Sequence, residues 1–168
     1  VAGGDGEDTI AFADADDATA LDATAHTAFE ILELGTAGVG GNTFDNADFA
    51  FTKIVLAGDV VGLTVDNLDA GTIEVQDNQT AAIAVTSVGD EDTLGLTINA
   101  EAATTIAALD VTGVETVNVT TTADTDDTTF TAIETDGVSA LSFAGAGDII
   151  ITDITDADAT NDATVKIA

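Results

Sequence analysis

Acidic residues in glycine-rich turns are the part of this sequence best suited to chemistry. The segment 3–11, Gly-Gly-Asp-Gly-Glu-Asp-Thr-Ile-Ala, matches the nonapeptide G-G-x-G-x-D-x-U-x (U apolar) at every specified position. Its glycines permit a tight left-handed turn with carbonyls free to face an ion, and its aspartate adds a carboxylate. Segment 89–94 keeps the second half of the pattern. The predicted metal ligands are Gly4, Asp5, Gly6, Asp8, Asp90 and Asp92. A plain glycine-rich turn is the alternative at both places.

Three further acidic clusters share a second pattern. Segments 14–19 and 124–129 both read D-x-D-D-x-T, and 156–162 is a looser version that follows Asp153. Alternating carboxylates on a turn can direct several oxygens at one hard cation such as Ca²⁺. The predicted ligands here are Asp14, Asp16, Asp17, Asp124, Asp126, Asp127, Asp153, Asp156 and Asp158. For any single cluster, a solvated acidic turn is the alternative.

The charge balance also indicates bound cations. The 168 residues include 32 acidic residues, two lysines and no arginine, which gives a net charge of −30. Such a charge opposes compaction unless it is neutralised by divalent cations or screened by high salt. Nucleic acid and anionic membrane surfaces are excluded as partners because both require Lys or Arg. The apolar runs are too short for membrane insertion.

Short apolar stretches with a period of two predict an all-β fold. From Leu63 onward they begin every 8 to 13 residues, with Gly, Asp, Asn and Thr between them. Proline is absent, and small residues suit the narrow interior of a stacked coil. These features favour a β-solenoid with two strands in each coil of about 20 residues. A β-sandwich is the alternative.

The whole chain, 1–168, is expected to form one module. Segment 1–48 is less regular than the rest, and we interpret it as a cap or edge region. The sequence does not indicate a long helix; the alanines between Ala11 and Leu34 could form a short capping helix, and the aspartates among them suit turns equally well.

Catalysis is not expected. His26 is the only histidine, and no nucleophile-elbow pattern surrounds Ser87, Ser139 or Ser142. Trp and Tyr, the usual platforms of sugar-cleaving sites, are absent, and cysteine is absent too.

Four segments together resemble the repeats-in-toxin (RTX) superfamily, specifically its surface-layer and adhesin proteins exported by type I secretion. They are GGDGEDTI at 3–10, FEILEL at 29–34, DTLGLTI at 92–98 and GVETVNV at 113–119. The resemblance implies a right-handed parallel β-helix, calcium binding, an extracellular or cell-surface location, secretion without an N-terminal signal, and lateral assembly.

The expected function is therefore that of an extracellular, calcium-dependent structural protein that assembles with itself into a surface layer or fibre. Cell-surface polysaccharide is a second expected partner. The segment 163–168 reads as a bare strand, which predicts pairing between copies. Two alternatives remain: a rigid spacer or ligand-binding module of a large secreted adhesin, and a structural domain of a halophile neutralised by salt.

Overall fold

A computed structural model describes residues 1–36, 42–122, 127–157 and 164–167 of the chain. Strands account for most of the regular structure in these segments, and they lie at the following positions: β1 Thr9–Asp14, β2 Ile31–Thr36, β3 Asn42–Asp45, β4 Lys53–Leu56, β5 Leu63–Asp66, β6 Ala70–Val75, β7 Gln79–Thr86, β8 Thr93–Ile98, β9 Thr104–Thr112, β10 Thr116–Thr121, β11 Thr128–Phe130, β12 Ile133–Asp136, β13 Ala140–Gly145, β14 Ile149–Ile151, β15 Ile154–Asp156 and β16 Thr164–Ile167. Val, Ile, Leu and Thr dominate them, as expected for strands.

The strands stack as a parallel β-solenoid of about six turns. The first sheet has the order β1-β2-β4-β6-β8-β10-β13-β16, and the second runs β14-β11-β9-β7-β5-β3 with β12 and β15 beside it. The strand pairs in the described segments are parallel. The predicted solenoid is therefore confirmed, and the β-sandwich alternative is excluded because its sheets are antiparallel. The handedness stays a prediction.

The register sets the length of one coil. Thr9 pairs with Ile31, 22 residues later, and Asn118 pairs with Ser142, 24 residues later. Most coils are thus slightly longer than the predicted value of about 20 residues.

Alternation along each strand separates core from surface. In β8, Leu94, Leu96 and Ile98 are buried in the core, while Thr93, Gly95 and Thr97 point outward. The outward-facing residues of the eight strands of the first sheet form what we call the flat face. Inside, aliphatic side chains from successive coils stack on one another, and the Phe130 and Phe143 rings make an edge-on contact at 6.4 Å.

The prediction of two strands per coil is incomplete. The long strand β9 pairs with β11 through its first residues and with β12 through its last. From β9 onward, the side of the coil opposite the first sheet is therefore divided into two short strands.

The described residues of segment 1–48 include both strands of the stack and two short helices. Strands β1 and β2 continue the first sheet, while the predicted helix is a six-residue 3-10 helix, Ala15–Ala20, that contacts β1, β2 and β3. Asp14 caps this helix by accepting the Asp16 N–H. A single α-helical turn, α1, spans Asn46–Phe49. In the described segments, neither helix has the length or apolar character needed to cross a membrane.

Candidate cation-binding corners of the solenoid

The turns that precede the strands of the first sheet form a continuous column, which we call the leading corner. Its members are Asp8, Glu30, Thr52, Asp69, Asp92, Glu115 and Ser139. Their carbonyls accept backbone N–H bonds from the next coil: Asp8 accepts from Glu30 and Ile31, and Glu115 accepts from Ser139 and Ala140. The backbone ladder therefore continues through the corner, and it fixes the spacing between the side chains there.

The first glycine turn is organised around Asp8. The Gly4 N–H donates to Asp8 Oδ2 at 2.6 Å, and the Asp8 N–H donates to Glu30 Oε2 of the next coil at 2.9 Å. Gly6 has a φ of +121°, which explains the glycine at this position, and Asp5 is exposed. Asp8 and Glu30 thus bring two carboxylates to neighbouring coils, and both accept hydrogen bonds from backbone amides.

The second glycine turn repeats this arrangement around Asp92. The Gly89 N–H donates to Asp92 Oδ2 at 2.9 Å, and the Asp92 N–H donates to Glu115 Oε2 at 2.7 Å. Asp92 is 8% exposed, whereas Asp90 is exposed. A Cβ at Gly89 would lie 2.5 Å from the Asp92 carboxylate oxygens, so a side chain there would displace this carboxylate. The weaker sequence motif therefore builds the more enclosed of the two corners.

A second carboxylate joins Asp92 through a shared hydroxyl. Ser87 Oγ lies 2.6 Å from Asp92 Oδ2 and 3.1 Å from Asp69 Oδ1. The two carboxylates are consequently within about 6 Å of each other, a distance at which like charges repel. A hydroxyl has one proton to donate, so it can satisfy only one of them. A hard cation between Asp69 and Asp92 would offset the repulsion between their carboxylates. The ligand atoms present, carboxylate and hydroxyl oxygens, are the type that Ca²⁺ prefers.

Sequence reasoning missed Glu30, Asp69, Ser87 and Glu115. A signal for the two glutamates is nevertheless present, because Glu30 and Glu115 occupy the same position in the similar segments 29–34 and 114–119. Each follows its aspartate by one coil, 22 residues after Asp8 and 23 after Asp92. Asp69 and Ser87 have no comparable signal because they belong to different turns.

The other predicted ligands are spread over the solenoid. Asp14 is exposed at the end of β1, Asp16 is half-buried and Asp17 is exposed. Asp127 precedes β11, and its carbonyl accepts the Thr104 N–H at 2.9 Å. Asp153 directly precedes β15, and Asp156 is the last residue of that strand. Asp124, Asp126 and Asp158 lie outside the described residues.

The predicted clusters therefore form separate places instead of one centre. Asp8 and Asp92 both lie at the leading corner, but they are four strand spacings apart, about 19 Å, and their rows are offset by two residues because Lys53 pairs with Thr72 and not with Ala70. Over the described segments, no group of three or more acidic or histidine side chains is arranged to hold a metal ion. A cation at Asp92 would hence take part of its oxygen shell from carbonyls or water, as Ca²⁺ commonly does.

Many remaining carboxylates accept hydrogen bonds between coils. Asp59 accepts both the N–H and the hydroxyl of Thr80, at 2.9 and 2.7 Å. Asp66 accepts the hydroxyl of Thr86 at 2.5 Å. These acidic side chains help to hold successive turns together, which is the structural alternative to metal binding.

Asp110 is an exception. Its Oδ1 is buried without a hydrogen-bond partner, and Asp110 pairs in register with Glu134 on the adjacent strand. The groove beside them has a volume of about 370 Å³ and is also lined by Thr112 and Asp136. Stacked carboxylates of this kind repel each other, so this groove is a second place where a cation would relieve repulsion.

Glu74 forms the only ion pair in the described segments. Its Oε2 lies 2.5 Å from Lys53 Nζ, and its Oε1 accepts hydrogen bonds from Gln76 at 2.7 Å and Asn99 at 3.0 Å. Burial raises the pKa of Glu74, but the hydrogen bonds from Asn99, Lys53 and Gln76 outweigh it and lower the pKa to about 2. This carboxylate is already neutralised by the protein.

His26 lies near the cleft at the N-terminal end. One ring nitrogen, Nδ1, is 3.1 Å from the carbonyl oxygen of Asp22. The cleft has a volume of about 510 Å³ and is lined by Asp22, Asp45 and Asp48 together with Phe44 and Phe49. Hydrogen bonds from the Thr24 hydroxyl and N–H lower the pKa of Asp22. Asp45 accepts from Ala47 and Asn67.

Comparison with protein-family models, with curated proteins and with solved structures found no match to this chain. The candidate sites therefore rest on the residues and geometry described above.

Proposed function

We propose that this chain is a calcium-stabilised structural module of an extracellular, self-assembling surface layer or fibre, and that it has no catalytic role. The observation that carries the proposal is the leading corner. There, carboxylates of neighbouring coils are held in register by the backbone ladder, and Asp69 and Asp92 share a single hydroxyl proton.

Calcium suits these corners for two reasons. Its ligands are oxygens, and the corners offer carboxylates, a hydroxyl and backbone carbonyls. In addition, one divalent ion between two coils offsets two negative charges in a chain of net charge −30. Gly4, Asp5, Gly6, Asp8 and Glu30 would contribute to the first corner, and Asp69, Ser87, Asp90, Asp92 and Glu115 to the second.

A structural role follows from the regularity of the stack. Successive coils are joined by continuous parallel ladders and by side chains that cap the backbone of the next coil, so the module is a stiff rod. The resemblance to RTX surface-layer and adhesin proteins supports an extracellular location. A rigid adhesin spacer would use the same stiffness without self-assembly, and a halophile domain would use salt in place of calcium.

Calcium binding at the second corner is testable with a charge-neutralising, nearly isosteric change. Asp92→Asn keeps an oxygen that can accept from Ser87 and Gly89 but removes a ligand charge. We expect it to lose about one of the calcium ions that the wild type binds at millimolar Ca²⁺, as measured by equilibrium dialysis.

Asp77→Asn is the matched control, since Asp77 is exposed and its carboxylate accepts only a local bond from the Asn78 N–H. It should bind as much calcium as the wild type. A wild type that binds no calcium would contradict the calcium proposal. Equal binding by all three proteins would contradict the assignment of the Asp92 corner.

A further inference from the structure

The flat face differs in charge from the rest of the molecule. Only three of the 32 acidic residues lie in the described strands of the first sheet: Asp14, Glu33 and Glu74. Asp14 is the last residue of β1 and turns into the corner, which leaves Glu33 and Glu74 on the flat face itself. Both lysines, Lys53 and Lys166, lie on this face. The flat face therefore has no net charge, while the molecule as a whole carries −30.

The two lysines also share one row of the sheet. Register runs from Lys53 through Thr72, Gly95, Asn118 and Ser142 to Lys166. Apart from the lysines, the row consists of small uncharged residues, so the surface between them is flat. The outward side of the second sheet is different because it carries Asp45, Asp66, Asp110, Glu134 and Asp136.

We propose that the flat face is the surface through which two copies of this chain pair, face to face, in a two-fold arrangement that reverses the stacking order. This inference deepens the self-assembly in the proposed function and rests on that part of it, but it does not depend on calcium as the counterion. A chain of this charge can approach another copy at lowest electrostatic cost through its one neutral sheet face.

Charge complementarity favours the reversed order. In that arrangement β1 of one copy lies over β16 of the other, and β2 lies over β13. Glu33 on β2 then lies over β13 of the other copy, offset sideways by one strand spacing, roughly 4.8 Å, from the strand that carries Lys166, with the two sheets about 10 Å apart. The same-order arrangement would instead place Lys166 of one copy against Lys166 of the other, so that like charges face each other.

The size of the face is adequate for such a pair. Eight strands span roughly 34 Å and six residues of each span roughly 20 Å, which gives about 650 Å² per copy or 1,300 Å² in total. This area lies at the lower end of the range for specific interfaces.

The rim of the contact would be formed by the carboxylates of the leading corner. In the reversed order, the leading corners of the two copies lie on the same side of the dimer, so their carboxylates repel each other. The dimer should therefore strengthen as salt or Ca²⁺ increases, whereas a contact held by ion pairs weakens in salt.

Sedimentation equilibrium on the folded chain, in about 1 M NaCl with chelator and separately in about 1 mM Ca²⁺, tests the pairing. Ala144→Asp adds one negative charge to the flat face on β13, which lies over β2 of the other copy, and Ala144 shares the row of Glu33, so the new carboxylate faces a like charge across the contact. We expect at least a roughly tenfold weaker dimer.

Asn78→Asp is the matched control. Asn78 is exposed at a corner, and its Oδ1 accepts the Thr105 N–H at 2.7 Å, a bond that an aspartate preserves. The Asn78→Asp substitution adds the same charge at a corner, away from the flat face, and should leave the dissociation constant of the dimer nearly unchanged. Equal weakening by both substitutions would overturn the flat face as the contact while leaving self-assembly intact. A folded monomer under both conditions would overturn the pairing itself, and calcium binding by that monomer would show that the calcium proposal stands independently.

Discussion

At the scale of single residues, the acidic side chains of this solenoid accept bonds from the backbone before they bind anything else. Asp8 and Asp92 each accept a glycine N–H within their own turn, and Glu30 and Glu115 accept the N–H of those aspartates from the next coil. A carboxylate has about four lone-pair positions, so one or two such bonds leave capacity for a cation. Structural capping and calcium binding are therefore compatible at the same side chain.

Glu74 gives a pH-dependent prediction. Its folded-state pKa of about 2 lies below the ordinary value of 4.5, so its contribution to stability is present above about pH 4.5 and is lost as the pH falls towards 2. Glu74→Gln should lower the free energy of unfolding by on the order of 1–2 kcal/mol at pH 6, after allowance for solvent screening. The difference from wild type should shrink towards pH 2.

Urea unfolding across this pH range, in about 1 M NaCl, measures that difference. Glu101→Gln removes an exposed glutamate at a corner and should stay within about 0.5 kcal/mol of wild type at each pH. A wild-type-to-Glu74→Gln difference that is constant with pH would show that the Glu74 network does not stabilise the folded state.

The residues of the candidate site were only partly predictable. Asp8 and Asp92 follow from a local motif because the glycines that shape each turn are adjacent in sequence. Ser87 and Asp69 could not be inferred, since they meet Asp92 only after the coils stack in a particular register. A one-residue slip would change that register and every contact across the corner.

At the scale of elements, the strands with a regular apolar pattern were predictable, and several short strands rich in Thr were not. The pairs Leu94/Leu96 and Val117/Val119 lie in β8 and β10, where alternation is regular. Strands β11, β12 and β15 have three or four residues and are rich in Thr, so their sequences resemble turns. Pairing with β9 and with one another makes them strands, and that information is not local.

Glycines at the leading corner set how closely coils approach. Gly113 has a φ of +69°, and a Cβ there would lie 2.3 Å from the Ser87 carbonyl oxygen. Gly113→Ala should therefore cost more than about 2 kcal/mol in the free energy of unfolding, because strain and a backbone clash combine.

Gly137→Ala separates those two causes. Gly137 also has a positive φ, +88°, but the nearest atoms to its Cβ position belong to Gly113 at 3.8 Å. Only the conformational cost of about 1 kcal/mol should appear in denaturant unfolding. If the two variants are equally destabilised, close packing of the coils at Ser87 is not what requires glycine at position 113.

At the scale of the whole molecule, the distribution of charge organises the chain. Carboxylates concentrate at the corners and on the second sheet, where they sit in register with one another, and the flat face is neutral. Stacking coils at the spacing of a parallel sheet brings these charges together, so folding without counterions must work against their repulsion. The core of aliphatic side chains supplies the opposing hydrophobic term.

The most direct test of this account is a far-UV circular dichroism spectrum of the chain in chelator at low salt, followed by titration with Ca²⁺ and, separately, with NaCl at matched ionic strength. We expect little β structure at the start and recovery at millimolar Ca²⁺. At about 100 times the dissociation constant, each calcium site adds about 2.7 kcal/mol to the stability of the folded state. NaCl should restore the spectrum only near about 1 M, where screening shortens to about 3 Å. Equal recovery in both salts at matched ionic strength would favour the salt-neutralised alternative, and a full β spectrum in chelator at low salt would contradict the claim that bound cations hold the coils together.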